Sequence, residues 1–160
     1  MYEYMITITT GIWRNAGTTA SIAMQIYGSE ESTGILYLSS REDSDSTLFC
    51  RGSSDVFVIA VQKPLGFLHG VRIGHSNTGI SPSWFFEDIV IQDVKTSYSW
   101  SFSNNQWLAL ERGDGRIERM LKYSTDKSEF TTEVFKRWWK GLAKKPIWVS
   151  VFAKLLRVRR

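Results

Sequence analysis

The residues with the most evident chemical potential are His69, His75, Cys50 and the serine beside His75. Gly74-His75-Ser76 begins like a nucleophile elbow, Gly-x-Ser-x-Gly, but Thr78 occupies the second glycine position and Gly79 comes one residue late. Without that glycine the strand has no means of turning sharply into a helix, and no helical pattern follows. Such a serine also needs a histidine base downstream in sequence, whereas both histidines precede Ser76. Serine hydrolysis is therefore not expected. Two histidines and one cysteine are likewise too few for an ordinary structural zinc site. Calcium, which takes six to eight oxygens from carboxylates and carbonyls, suits the acidic turn Glu42-Asp43-Ser44-Asp45 better; the competing reading is a turn that is simply solvated. No catalytic residue is expected in this chain.

Binding chemistry is better represented. Thr10-Gly11 and Ala16-Gly17 bracket Ile12-Trp13-Arg14-Asn15, which leaves Trp13 at a loop tip. An indole combines an apolar body with a polar N–H and suits the boundary between water and lipid; Arg14 beside it can pair with a phosphate. Lys63-Pro64-Leu65-Gly66-Phe67 repeats the combination of a base, turn residues and apolar side chains. Ile12, Trp13, Arg14, Lys63, Leu65 and Phe67 are the candidate lipid contacts. Alternatively, Trp13 folds back onto the edge of the domain. Trp84, Phe85 and Phe86 read as core.

Charge divides the chain. Residues 136–160 hold nine bases and no acid, leaving 20 − 9 = 11 bases against all 16 acids before them, a net of −5. The basic block, with Lys136, Arg137, Lys140, Lys144 and Lys145 in its first half, points to a phosphate-rich partner or serves as a solubilising tail. Anionic lipid fits better than nucleic acid, because single-strand binders interleave bases with stacking aromatics along one groove, and here the bases are segregated. Cys50 has no partner for an intrachain disulfide, and no Asn-x-Ser/Thr sequon occurs, both consistent with a reducing compartment. No apolar stretch reaches the roughly 18 to 20 residues of a membrane span. The N-terminus lacks the basic segment of a signal peptide.

Positioning these residues falls to short strands. Tyr4, Ile6 and Ile8 alternate with Met5, Thr7 and Thr9, and Tyr98, Trp100 and Phe102 alternate with serines. Phe57, Ile59 and Val61 interleave with Val58 and Ala60, the pattern of a strand buried on both faces. The spacing of turn signals predicts an all-β, antiparallel, eight-stranded sandwich of two four-stranded sheets over residues 1–123. Gly113-Asp114-Gly115 suggests a hairpin. Past Ser124 the pattern changes: Phe130, Val134, Trp138 and Leu142 recur every four residues, so residues 124–160 read as an appendage with an amphipathic basic helix ending near Gly141 to Pro146.

One segment carries more than periodicity. Gly74-His75-Ser76-Asn77-Thr78-Gly79-Ile80-Ser81-Pro82-Ser83-Trp84-Phe85-Phe86 joins a strand end, a polar turn and a Pro-Ser-Trp-aromatic entry into the next strand. Together with Thr10-Gly11, Ala16-Gly17-Thr18-Thr19-Ala20 and Trp107-Leu108, in that order along the chain, it resembles PLAT (LH2) domains, whose signature usually has His-Asp-Asn before the turn. The resemblance covers about residues 2 to 110 and is strongest to the polycystin-1 and polycystin-1-like family, where the Phe135-Lys136-Arg137 and Ile147 to Phe152 stretches also match. It implies a non-catalytic lipid- and protein-binding β-sandwich in the first cytoplasmic loop of a multi-pass membrane protein. Its partners would be anionic phospholipid and cytosolic adaptor proteins. For calcium-binding members it implies ligands from three loops, here the carbonyls of Gly17 and Thr18, Asp43 with Asp45, and Asn77. Ser76 stands where the family has Asp, which removes a charge from that site, so no cofactor is expected to be required. Two other readings remain: the accessory PLAT domain of a lipase- or lipoxygenase-type enzyme, which implies a catalytic domain elsewhere, and an adaptor module that binds only protein.

Overall fold

Alternation decides the first strand: Tyr4, Ile6 and Ile8 of β1 (Tyr2–Thr10) are fully buried on one face of a central strand. The computed structural model describes residues 1–38 and 48–123, with the backbone of Ile147–Trp148. After β1 come β2 (Ile22–Gly28), β3 (Leu36–Leu38), β4 (Ser54–Val61), β5 (Leu68–His75), β6 (Trp84–Asp93), β7 (Ser99–Leu108) and β8 (Glu118–Lys122). They form two antiparallel four-strand arrays, β7-β6-β1-β4 and β3-β2-β5-β8, with the core between them. This is the sandwich that the alternation predicts. The expected helix and basic tail lie outside the described residues.

To this sandwich the chain adds one short strand, and one expectation needs correction. A two-residue strand, β9 (Ile147–Trp148), pairs in parallel with Phe57 and Val58 of β4, so the first sheet has five strands and is not wholly antiparallel. Without it β4 would be an edge with unpaired backbone groups, which proteins tend to cover. The expected hairpin at Gly113 is absent, because β7 and β8 belong to different sheets. Gly113 and Gly115 do turn the chain, at φ 62° and 73°, and the Ala109 N–H closes the loop onto the Arg116 carbonyl at 2.9 Å. Turn residues specify a reversal; which strand edge is free to receive the next strand is a property of the whole sheet.

Aromatic packing fills the centre. Trp84 stacks on Phe86 at 4.5 Å and meets Phe49 edge-on at 5.2 Å, and its indole N–H donates to Thr10 Oγ1 at 3.0 Å, so its one polar atom is satisfied. Phe85, expected in the core with its neighbours, is only half-buried: strand alternation turns it to the opposite face from Trp84 and Phe86.

His75 bridges the sheets at one end. Its Nδ1 accepts the Asn77 N–H at 3.0 Å, which leaves Nε2 as the donor to the Leu108 carbonyl at 2.8 Å. Burial lowers the pKa of this imidazole, outweighing the Leu108 carbonyl, which raises it. Protonation would place a second N–H at Nδ1, facing the Asn77 donor.

At the other end, Gly28 lies against the Leu65 carbonyl, and a β-carbon there would also come within 2.8 Å of the Glu31 carbonyl. Gly28→Ala is expected to destabilise the fold by about 2 kcal/mol through this backbone clash. Gly34, which faces open space, should accept alanine within about 0.5 kcal/mol. Urea titration of both variants tests the difference. Because the folded pKa of His75 lies below its unfolded value near 6.5, the unfolded chain binds the proton more readily. Its contribution is therefore complete above about pH 6.5 and is lost as pH falls through the folded pKa. Chemical denaturation at a series of pH values should show stability falling below that point, with a shallower fall in His75→Gln.

Candidate functional site

The strand registers gather four loops at one end of the sandwich. Thr9 opposite Ser54, Ile22 opposite His75, Trp84 opposite Leu108 and Gly74 opposite Glu118 place the segments 11–21, 48–53, 76–83 and 109–117 together. The loop 11–21 is the hub. It receives the Gly52 N–H on the Gly11 carbonyl, sends the Thr18 N–H to Phe49, the Thr19 N–H to Ser81 and Thr18 Oγ1 to Pro82, and takes the Phe85 N–H on Ala16. Ser76 and Ser21 exchange hydrogen bonds, N–H to carbonyl in one direction and N–H to Oγ in the other, each at 3.0 Å. The segments 11–21, 48–53 and 76–83 are therefore fixed to one another through their backbones.

On this support stand side chains that a water-soluble surface does not require. Ile12 is 69% exposed, Trp13 63%, Ile80 99% and Leu110 56%. Trp13 is both at a tip and braced: its ring lies edge-on to Phe85 at 6.3 Å, Phe85 meets Trp107 at 5.5 Å, and the Arg112 guanidinium sits 4.5 Å over the Trp107 ring. Both sequence readings of Trp13 thus hold a part of the truth. Ile80, Leu110 and Arg112 line a shared depression of about 400 Å³ with Asn15, Asn77 and Glu111. Arg14, Arg51, Arg112 and Arg116 on the same loops are exposed, and Arg51 donates through Nε to the Ile12 carbonyl at 2.6 Å. Of the acids here, Asp114 is paired with Arg119 at 3.0 Å. The Arg116 N–H, with that contact behind it, keeps the Asp114 carboxyl below the usual range.

The second candidate loop is elsewhere. Residues 62–67 join the end of β4 to the start of β5, at the end marked by Tyr2 opposite Val61. A nine-residue strand of about 30 Å separates it from Trp13. Lys63 is exposed there, and Phe67 is 46% exposed, but its ring packs edge-on against Trp100 at 6.1 Å and Tyr123 at 5.1 Å. Leu65, expected to be a lipid contact, is fully buried, and its N–H donates to Tyr4 Oη at 3.0 Å. The residues Ile12, Trp13 and Arg14 therefore cannot share a flat surface with Lys63 and Phe67, and Leu65 belongs to the core.

The expected calcium ligands are divided. Gly17, Thr18 and Asn77 lie on adjoining loops of the same end, while Asp43 and Asp45 lie outside the described residues, as do Lys136, Arg137, Lys140, Lys144 and Lys145. Thr18 Oγ1 is committed to the Pro82 carbonyl and the Ala20 N–H, and Ser76 Oγ to Ser21 and Thr78. Gly17, Thr18, Ser76 and Asn77 offer no carboxylate between them, a weak set for a hard divalent cation. Ile80, Leu110, Arg51 and Arg112 were not foreseen from sequence. Ile80 had a signal, a large aliphatic residue isolated in a Gly-x-Ser-Pro turn; the other three became relevant only when distant loops converged.

Comparison with known proteins agrees with this architecture. The PLAT/LH2 domain model matches residues 4–122. Human polycystin-1-like protein 3 is 37% identical over 120 residues, covering 75% of this chain and 7% of its own length. Mouse lipoxygenase homology domain-containing protein 1 is 41% identical over 127 residues, covering 76% of this chain and 6% of its own length. The chain thus spans only a small fraction of the curated relatives it matches. Among solved structures, a coral 8R-lipoxygenase, reported with calcium activation via a C2-like domain, superposes with a TM-score of 0.61 at 20% identity over 86% of this chain and 20% of that one. Since the family match takes in all eight strands that carry the loop end, this chain belongs to the PLAT/LH2 domain family.

Proposed function

We propose that the chain is a non-catalytic module that attaches to anionic phospholipid through the loop end carrying Trp13. The observation that carries this reading is the placement of Ile12, Trp13, Ile80 and Leu110 on loops that converge at one end, which also carry the exposed Arg14, Arg51, Arg112 and Arg116. Apolar tips enter the acyl boundary, and the guanidinium groups meet lipid phosphates with charge-assisted hydrogen bonds. Rigid loops lose little conformational freedom on contact, so more of the burial energy appears as affinity. The bases at Lys136, Arg137, Lys140, Lys144 and Lys145 add attraction that acts at longer range.

The likeness to a polycystin-1-like protein supports a membrane-protein context; in this reading the module sits in a multi-pass protein on the cytoplasmic side, where anionic lipid is concentrated and cytosolic adaptor proteins are available. Calcium is not required in this reading, since Ser76 puts a neutral oxygen where the family signature has Asp. The likeness to lipoxygenases favours one alternative, an accessory domain of a lipid-acting enzyme. It predicts a catalytic domain on the same polypeptide, whereas the preferred reading predicts flanking membrane spans.

Co-sedimentation with vesicles tests the proposal. Binding should require anionic lipid and weaken between 0.05 and 0.5 M salt, roughly as the Debye length contracts. Equal binding to zwitterionic vesicles would exclude the arginines as lipid contacts. Trp13→Ala removes burial of about 2 kcal/mol and should cost about tenfold or more in affinity. Ile80→Ser should act in the same direction, while Phe67→Ala at the far end should leave binding unchanged. A folded Trp13→Ala protein that binds like the parent removes the loop end from the account. In a chelator, affinity is expected to stay within about twofold, since the described loops offer calcium mainly neutral oxygens.

A further inference from the structure

A strand at the edge of a sheet presents a row of backbone N–H and C=O groups without partners, and folds usually blunt it. Most edges here are blunted. β4 is covered by β9, β3 is three residues long, and β7 is broken by a register shift near Asn105, whose φ is 48°. β8 is the exception: its five residues are in regular register, and among the described residues it is joined only to β5. Two hydrogen bonds fix its parity. The His75 N–H reaches the Ile117 carbonyl and the Tyr123 N–H the His69 carbonyl, both at 3.0 Å, so Ile117, Arg119, Leu121 and Tyr123 turn their backbone groups toward β5. Those of Glu118, Met120 and Lys122 therefore face away from the sheet, and among the described residues nothing meets them. All three residues are exposed, Met120 by 47%.

The side chains of this edge are complementary to themselves when the strand is reversed. Glu118, Met120 and Lys122 share the outer face of the second sheet, with the acid and the base placed symmetrically about Met120. Set antiparallel to a second β8 about a twofold axis at Met120, Glu118 of each copy stands opposite Lys122 of the other, and the two Met120 residues face each other. The residues so opposed are the ones whose backbone groups are free, so about six inter-chain hydrogen bonds close at once. Opposite charges directly across an antiparallel pair stabilise it, and like charges destabilise it. Arg72 already pairs with Glu118 at 2.5 Å and extends each new ion pair into a trio. No other register serves as well. A slide of two residues keeps the parity but loses about two hydrogen bonds and both ion pairs. A slide of one sets free groups against groups that β5 already holds.

We infer that β8 is a self-association edge, through which two copies of this chain join their second sheets into one continuous antiparallel sheet. The edge charges act as a filter, because a foreign strand without the matching acid and base leaves them unpaired. The contact is small. Five residues extend about 17 Å, and a strip of that length buries less than the roughly 1,000 Å² of a stable interface, so the dimer forms at high protein concentration. Because the paired strands run in opposite directions, the loop ends bearing Trp13 point opposite ways. On the lipid reading above, copies resting on one flat bilayer run the same way and cannot pair in this manner. The dimer therefore belongs to the free module or to two facing membrane surfaces.

Sedimentation velocity of the 160-residue chain, without lipid and from about 10 µM to about 1 mM, tests the pairing. A monomer–dimer equilibrium is expected, with a dissociation constant on the order of 0.1 mM. Glu118→Lys and Lys122→Glu each set like charges across the twofold axis and should weaken the dimer by about tenfold or more. The double variant restores opposite charges and should dimerise at least about fivefold better than either single variant. A chain that is monomeric at the highest concentration, a dimer indifferent to both reversals, or a double variant no better than the single ones overturns the inference. Should a reversal fail to fold, cysteine placement replaces it. In a Cys50→Ser background, Met120→Cys puts two thiols across the axis, with α-carbons about 5.5 Å apart and within reach of a disulfide. Mild oxidation should link two chains there, whereas Tyr37→Cys, exposed on the opposite edge of the same sheet, should stay unlinked. No linkage at position 120, or equal linkage at both positions, refutes the pairing.

Discussion

The loop 11–21 is the constraint on which the functional end depends. It leaves β1 at Gly11 and reaches β2 only at Ile22, and in between it bonds to segments ending near β4 and beginning near β6. Thr10 anchors its start, accepting the Trp84 indole N–H on Oγ1 while its own N–H reaches the Ser53 carbonyl at 2.9 Å. Thr18 anchors its middle, joining Phe49 and Pro82. Buried backbone groups must find partners, so a loop that crosses the end of a sandwich either forms such bonds or is expelled into water. Because this one forms them, Trp13 is held out by a loop that cannot collapse.

Bracing and exposure are usually opposed, since an aromatic ring gains by burying itself. Here they are reconciled by edge contacts: Phe85 turns outward from the core strand β6 and gives Trp13 a rest, and Trp107 with Arg112 continues the support. The half-buried state of Phe85 is thus a consequence of strand parity that becomes useful at the surface. His75 and Ser76 contribute in the same way. Their chemistry is spent on joining the end of β5 to Leu108 and Ser21, which fixes the turn that bears Ile80.

The ends of the sandwich differ in kind. At one, aliphatic and aromatic tips stand clear of the body among arginines; at the other, Leu65 is inside and Phe67 leans on Trp100 and Tyr123. Two loops with nearly the same composition therefore have different fates. The faces differ as well: one sheet presents a mixed polar surface to water, and the other keeps Val56, Val58 and Ala60 covered.

Much of the architecture was legible in the residues because a strand's period of two is a local property: Tyr4, Ile6 and Ile8 on one face of β1, or Trp100 and Phe102 on one face of β7, need no knowledge of neighbours. The turn residues and the Ser-Pro-Ser-Trp entry into β6 were local as well, and they carried the family. The continuous apolar run of β4 even announced a strand covered on both sides. What lay beyond reach was every relation between segments distant in sequence. Composition made Lys63 to Phe67 look like Ile12 to Arg14, but only strand direction puts them at opposite ends. The glycines of the 113–115 turn predicted a reversal, but only the free edge of the second sheet sent β8 there. Ile80, Leu110 and Arg112 become a site with Trp13 solely because four loops end on one side. Local sequence sets which face a side chain takes; chain topology, through the pairing of distant strands, sets what it meets there.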